Sequence, residues 1–248
     1  MVSTWEDFYA KHPPPQDLAQ NEQALKEFTR KHLEAGNKVV LVTSGGTTVP
    51  LEHNTVRFVD NFSAGTRGSV SAEYFLEYGY AVIFMYRVKS LEPFSRHFIG
   101  QKFLDLLQIS DNENPVITVL SEHTQKSRDI RENLSSIHKI SSSGPPTISL
   151  QLVPKILAPL VSLWVPKAFV VSFKLETDES LLISKARTAL NKYHHNLVIA
   201  NMLQTRKQQV IIVSKETNYV LSLTNEQLDN GEEIEQLIVR DLIEKHIK

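Results

Sequence analysis

Lys38-Val39-Val40-Leu41-Val42-Thr43-Ser44-Gly45-Gly46-Thr47 is a short, almost uninterrupted apolar run that ends in a pair of glycines. An apolar run without polar alternation fits a strand covered on both faces, as in a parallel sheet, and the glycines fit a tight turn at its carboxyl end. Parallel strands need a crossover, and the downstream sequence supplies one. Residues 65–78 carry Val70, Tyr74, Phe75 and Tyr78 at helical spacing, Gly79 stops that helix, and Ala81-Val82-Ile83-Phe84-Met85-Tyr86 repeats the apolar run. Upstream, Leu18, Leu25, Phe28 and Leu33 recur at helical spacing among charges, which predicts an amphipathic helix over 16–35 closed by Gly36.

Beyond Arg87 the pattern weakens: a short helix is expected around 102–107 and a strand at 115–120, followed by a polar stretch from Ser121 to Ser143. Alternation returns with a strand at 147–152, a helix at 154–164 opened by Pro154, and a strand at 168–175. A helix capped by Thr177 or Asp178 then runs to Tyr193, and an apolar strand follows at 197–200. A hairpin is expected from 210–214 and 219–223, and an amphipathic helix from Glu232 to the end. The expected fold is α/β: a doubly wound, mainly parallel Rossmann-like sheet with helices on both faces and a C-terminal β-hairpin. It is read as a single domain over 1–248, with an atypical segment at 99–137. Ligands of such sheets bind beyond the carboxyl ends of the strands, which directs attention to 44–68, 87 onward, 173–177 and 201–206.

A chain of 248 residues can bury a core large enough to carry a catalytic cleft. Its formal net charge of -1 gives no general drive toward nucleic acid or an anionic membrane. The absence of cysteine excludes disulfides, thiolate metal sites and a cysteine nucleophile, so the cytoplasm is the expected compartment. The stretch from Met1 to Pro15 is polar and proline-rich, and no later apolar run approaches the ~20 residues of a spanning helix, so neither a signal peptide nor a membrane anchor is expected.

Two clusters carry possible chemistry. Ser44-Gly45-Gly46-Thr47 follows a buried strand, where glycines allow close backbone approach and amides and hydroxyls can hold phosphate; a plain strand-to-loop turn explains it equally well. Its spacing fits neither the Gly-Lys-Ser/Thr phosphate loop nor the dinucleotide fingerprint. The second cluster, Val56-Arg57-Phe58-Val59-Asp60-Asn61-Phe62-Ser63-Ala64-Gly65-Thr66-Arg67-Gly68, stands just before a helix whose first amides attract anions. Arg57 and Arg67 can each grip a phosphate or carboxylate with two parallel bonds, or Asn61 or Ser63 can simply cap the helix beside solvated arginines. Asp60 is a possible magnesium contact. Lys174 and Glu176 share a strand face and read first as a structural pair, and His194-His195 is given no chemistry.

Together the clusters resemble the phosphopantothenate–cysteine ligases of the eukaryotic, ATP-using type. The matching residues are Val42 to Thr47, Pro50-Leu51 and Val56 to Gly65, then His138-Lys139-Ile140, Leu152 to Leu157, Ser172 to Thr177 and Val198 to Asn201. The resemblance implies ATP with Mg2+ activating the carboxylate of 4′-phosphopantothenate as an acyl adenylate, which the cysteine amine then attacks, on the route to coenzyme A. It implies nucleotide contacts at Gly45, Gly46, Thr47, Ser63, Gly65, Gly68, Phe173, Lys174 and Asn201. Catalytic roles fall to Asn61 at the reacting carboxylate and Lys139 at the phosphates, and Arg57 reaches the partner's phosphopantothenate across a homodimer. Read without the family, Phe173 is a core residue, Asn201 a turn residue and Lys139 a solvated side chain.

The family's Ala-Ala-Ala-Val-Ser-Asp segment, which contacts phosphopantothenate, is not found, and the chain is short between Phe98 and His138. A catalytically impaired relative that binds nucleotide or a partner subunit is therefore the alternative. A nicotinamide-dependent reductase ranks below both, because the fingerprint and a catalytic tyrosine–lysine helix are lacking.

Overall fold

Thr4 accepts a hydrogen bond from the Asp7 N–H while the Asp7 carboxylate accepts one from the Thr4 N–H, and this reciprocal cap starts helix α1 (Trp5–Lys11). Helix α2 (Leu18–Glu34) ends where Gly36 turns left-handed at φ +73°, as the sequence predicts. Its apolar residues Leu18, Leu25 and Leu33 remain exposed, so the stripe that predicted the helix is not a buried one. The structure is a computed structural model and describes residues 4–50, 57–61, 63–87, 89–98, 107–109, 117–119 and 155–247. The helix expected around 102–107 lies outside the described residues up to 106, and its last residue, Leu107, is in a strand instead; the strand at 147–152 and Lys139 lie outside the described residues. The chain divides into two compact units, Lys26–Ser149 and Met1–Leu25 with Leu150–Lys248.

In the Lys26–Ser149 unit, β1 (Val39–Ser44) pairs in parallel with β4 (Ala81–Tyr86), Val39 opposite Ala81 and Ser44 opposite Tyr86. Helix α3 (Thr66–Glu77) links them and packs on both, burying Val70, Ala72 and Phe75. Gly79 at φ +77° ends it, and the strand–helix–strand unit is the one the apolar runs predict. Within the connection from 47 to 61, β2 (Thr48–Pro50) and β3 (Phe58–Asp60) form an antiparallel pair that the polar sequence did not announce. A further antiparallel pair joins β5 (Leu107–Ile109) and β6 (Ile117–Val119), the second of which falls in the expected strand.

In the other unit, a turn of helix, α4 (Leu157–Pro159), widens into a π-helical turn at Leu160–Trp164, and the Trp164 ring meets Trp5 of α1 edge-on at 5.4 Å. β7 (Val171–Glu176), α5 (Glu179–Tyr193) and β8 (Leu197–Met202) make a second strand–helix–strand unit, with Val171 opposite Leu197 in a parallel pair. Asp178 caps α5 through the Ser180 N–H, one of the two caps the sequence offers. Leu182, Ala186 and Leu190 recur every four residues on α5 and close on Val198, Ala200 and Val213, which forms the core of this unit. The sheet continues antiparallel through β9 (Gln209–Val213) and β10 (Asn218–Ser222), with Asn218 opposite Val213. Helix α6 (Asn225–Asp229) starts on a second reciprocal cap, Thr224 with Gln227. Helix α7 (Ile234–Ile247) buries Ile234, Ile238, Val239 and Leu242 and is tied to β10 by Tyr219, whose hydroxyl donates to Asp241 at 2.6 Å.

His195, given no chemistry in the sequence reading, is 1% exposed two residues before β8, its Nε2 2.7 Å from Ser172 Oγ and its Nδ1 without a partner among the described residues. Burial holds its pKa below the ordinary 6.5. The stability that neutral His195 contributes is therefore complete above the unfolded value and is lost as pH falls toward the lowered folded one. Denaturant titrations between about pH 7.5 and about pH 5.5 should show stability falling on the acid side in the wild type and a flatter slope in His195→Gln. Equal slopes in the two proteins would assign the loss to another group.

Candidate functional site

At the carboxyl end of β1 the chain turns at Gly45, φ +93°, and a Cβ there would stand 2.4 Å from Ser90 Oγ and 3.2 Å from the Arg87 Cβ. Gly46 is pressed in the same way on Asn61, whose Cβ would lie 2.6 Å from an added methyl. The β2–β3 pair explains this approach, because it lays 58–60 against 48–50 and lets the Asn61 N–H donate to the Thr47 carbonyl at 3.1 Å. Asn61 Oδ1 then accepts the Ser63 N–H at 2.9 Å, and its Nδ2 has no partner among the described residues. Ser63 Oγ accepts from the Gly65 N–H at 3.4 Å. One turn after another thus carries the chain from Asn61 into α3.

Gly65 starts α3 with φ +84° and no side-chain cap, so the first amides of the helix keep their donors. The Gly65 carbonyl accepts both the Ser69 N–H and Ser44 Oγ, each at 3.0 Å. Gly68, one turn into the helix, would place a Cβ 2.5 Å from the Ser44 Cβ. The sequence offered glycine as a means for the backbone to approach a ligand. In the structure, the space left by Gly45, Gly46, Gly65 and Gly68 is filled by Ser44, Asn61 and Ser90, so the glycines serve first to bring three segments together.

Charge at this end of the sheet is partly committed. Asp60 accepts from Thr48 Oγ1 at 2.7 Å and faces Arg87 Nη2 at 3.3 Å, so both oxygens are engaged within the protein. Among the described residues no group of three His, Asp or Glu side chains could hold a metal ion. A magnesium ion at Asp60 would have to compete with Thr48 and Arg87 for its two oxygens. Arg87 keeps a buried Nε, and Ser90, 7% exposed, keeps a buried hydroxyl, both without partners among the described residues. Sequence reading pointed to the loop from 87 onward, directly after β4, without singling out either residue. Arg57 stands just before β3.

The remaining expected residues lie in the other unit. Phe173 of β7 is 48% exposed, which rules out the core reading, and Asn201, penultimate in β8, is 5% exposed and stands in a strand instead of a turn. Lys174 and Glu176 are the expected pair at 3.3 Å, and Lys185 joins them at 2.9 Å. The Lys185 hydrogen bond leads the effects that hold the Glu176 carboxyl below its ordinary range.

The family model described as the DNA/pantothenate metabolism flavoprotein C-terminal domain matches residues 35–245. Human phosphopantothenate–cysteine ligase is 36% identical over 299 aligned positions, covering 97% of this chain and 96% of the relative. The chain belongs to the phosphopantothenate–cysteine ligase family. The yeast member, CAB2 of Saccharomyces cerevisiae, is 35% identical over 98% of this chain and 86% of its own length. A solved structure of a histidine-to-alanine Cab2 variant in complex with phosphopantothenate-cysteine superposes with a TM-score of 0.81 at 34% identity, covering 97% of each chain. A DNA/pantothenate metabolism flavoprotein from Streptococcus pneumoniae shares the fold, with a TM-score of 0.55, 22% identity and coverage of 84% of this chain and 97% of its own. The alignment with the human ligase family member is longer than this chain's 248 residues, so that relative carries residues with no counterpart here.

Gly68→Ala tests the close approach of β1 and α3. Helix propensity alone would favour alanine by up to about 1 kcal/mol, whereas crowding against Ser44 should cost about 1–3 kcal/mol. Denaturant titration should therefore show a net loss, part of which is recovered when Ser44→Gly removes the facing Cβ. Losses that simply add would show that Ser44 is not what the methyl meets.

Proposed function

We propose that the protein joins 4′-phosphopantothenate to cysteine with consumption of ATP, in coenzyme A biosynthesis. The observation that carries this reading is similarity along nearly the whole chain to proteins named phosphopantothenate–cysteine ligase, at 36% and 38% identity for the human and mouse members. The Cab2 structure that superposes on it was solved with phosphopantothenate-cysteine, the product such an enzyme would make. In the proposed route the carboxylate attacks the α-phosphorus of ATP and pyrophosphate leaves. The cysteine amine then attacks the acyl adenylate, AMP leaves, and the amide forms.

The site in the Lys26–Ser149 unit suits the phosphate side of that chemistry. Transfer of an adenylyl group needs charge stabilised on phosphate oxygens, and the uncapped first turn of α3 beside Ser44–Thr47 presents backbone donors for it. Gly45, Gly46, Thr47, Ser63, Gly65 and Gly68 are read as the nucleotide-facing backbone. Asn61 is read as the residue at the reacting carboxylate, since Oδ1 is anchored by Ser63 and Nδ2 is left to donate. Magnesium would enter with the nucleotide phosphates, without a cluster of protein ligands. Roles for Phe173, Lys174, Asn201, Lys139 and Arg57 follow the family resemblance, as do a homodimer and a cytoplasmic location. Among the described residues no helix is long and apolar enough to cross a membrane. Each unit carries a parallel, helix-linked strand pair of the kind from which a doubly wound sheet is built, and one ligase domain remains our reading.

A second reading has an observation of its own. Residues of the human relative without counterpart here, together with the missing Ala-Ala-Ala-Val-Ser-Asp segment, favour a family member that binds nucleotide yet turns over poorly.

Pyrophosphate release by the purified protein with ATP, magnesium, 4′-phosphopantothenate and cysteine separates the two. Release that requires phosphopantothenate, with a cysteine-dependent amide product, is the expected result. Asn61→Asp keeps the acceptor for Ser63 but replaces the donor by a negative charge, and should lower kcat by about 10²–10³ in a folded protein. ATP binding without release would leave the impaired reading standing.

A further inference from the structure

Glu73 is a buried carboxylate on α3, 4% exposed, among Val70, Ala72 and Phe75. An unpaired charge there would cost several kcal/mol, and this one is fully engaged. The Phe94 N–H donates to Oε1 at 2.8 Å, Arg96 Nε lies 3.1 and 3.2 Å from the two oxygens, and Arg96 Nη2 donates to Oε2 at 2.6 Å. His97 Nε2 stands 3.7 Å from Oε2. Burial pushes the carboxyl up, but the Arg96 and Phe94 hydrogen bonds and the charges of Arg96 and His97 outweigh it and hold it below its ordinary range.

Ser69 lies four residues before Glu73 on the same face of α3 and donates its hydroxyl to the Glu92 carbonyl at 2.9 Å. The Leu91 N–H donates to the Ala64 carbonyl at 2.8 Å. The segment after β4 is thereby fastened at three points to α3 and the residues that lead into it, all within one unit. Its backbone is left-handed at two residues other than glycine, Lys89 at φ +73° and Phe94 at φ +64°. Such conformations cost of order 1–3 kcal/mol each and persist only where the surroundings hold them. What the fastening delivers is Ser90, packed against Gly45 and Gly65 at the turn proposed above as nucleotide-facing.

We propose that Glu73 is a positioning residue for this site: through Phe94 and Arg96 it holds residues 90–97 on α3, so that Ser90 backs Gly45 and Gly65 in their binding-competent arrangement. The inference deepens the ligase reading and rests on it for the identity of the ligand. The geometry on which it stands requires no ligand.

Glu73→Ala and Glu73→Gln in the full chain, each measured by hydrogen exchange and by ATP titration of pyrophosphate release, test it. In Glu73→Ala, exchange should quicken in 87–97 and 64–69 and stay unchanged in β8 and β9. The KM for ATP should rise about tenfold or more, with a smaller change in kcat. Gln keeps an acceptor for the Phe94 N–H, so Glu73→Gln should fall between Ala and wild type. Unchanged exchange with unchanged KM overturns the proposal, and so does faster exchange spread evenly over both units, the mark of a general loss of stability. If Glu73→Ala does not fold, Glu73→Gln and Arg96→Gln carry the test on the same criteria. A wild type that binds no ATP would sink the ligase reading alone, while the exchange pattern would still decide whether Glu73 holds the turn.

Discussion

Ser44 stands so close to the start of α3 that positions 65 and 68, which face it, have no room for a side chain. Its hydroxyl is bound to the Gly65 carbonyl, and both Gly65 and Gly68 would drive a Cβ into it. A helix start is normally finished by a side-chain oxygen that takes one of its free amides. Here the neighbouring hydroxyl donates to a carbonyl instead, and the amides of the first turn are left over. The same constraint brings the ends of β1 and β4 to one edge of the unit, because Gly45 admits Ser90 from the segment that follows β4. Packing and binding capacity are thus two consequences of one contact.

Much of this architecture was legible because local and tertiary preferences agree. The runs at 39–44 and 81–86 are apolar throughout, Gly79 follows the helix between them, and the parallel pair forms as read. Asp178 capping α5, and the strands at 171–176 and 197–202, were legible for the same reason. The β2–β3 pair was not, since three residues of strand in a polar, glycine-bearing stretch carry no usable period, and its partner residues are eight to twelve positions apart. Helix α1 was hidden behind prolines although Thr4 and Asp7 spell its cap. In α2 the periodicity predicts the helix, while Leu18, Leu25 and Leu33 of its stripe stay exposed. For the site, residue types at strand ends pointed to the turn proposed as nucleotide-binding, whereas the neighbours of each glycine depend on three segments meeting and could not be read from spacing.

The acidic side chains show why charge type alone is a poor guide to chemistry. Asp60, Glu73 and Glu176 each have a cationic partner within 3.3 Å, and each holds structure together at or near a strand end or on α3. Asp60 secures the β2–β3 pair through Thr48, and Glu176 gathers Lys174 and Lys185. A carboxylate already neutralised by lysine or arginine is a weak metal ligand, because the cation must be displaced before a second one can bind. Asp60 and Glu73 are thus committed to holding the segments around the start of α3, and Glu176 to a lysine pair within the other unit.

That division fits a reaction in which the protein needs no nucleophile of its own. In adenylyl transfer the attacking oxygen, the leaving pyrophosphate and the amine all come from the substrates, so the protein contributes by alignment and by donors that need not reorganise as charge moves. Backbone amides fixed by packing meet that requirement better than flexible side chains, provided that the segments around them cannot drift. In this chain the fixing is done by packing and buried hydrogen bonds: Ser44 against Gly68, Asn61 against Gly46, and the buried carboxylate of Glu73 behind the segment that carries Ser90. Asn61 joins both sets, since one oxygen of its amide closes the turn to Ser63 while the nitrogen remains uncommitted among the described residues. The rigidity of the turn and the placement of the Asn61 amide nitrogen therefore have a common origin, the antiparallel pairing of residues 48–50 with 58–60 that sets Asn61 beside Thr47.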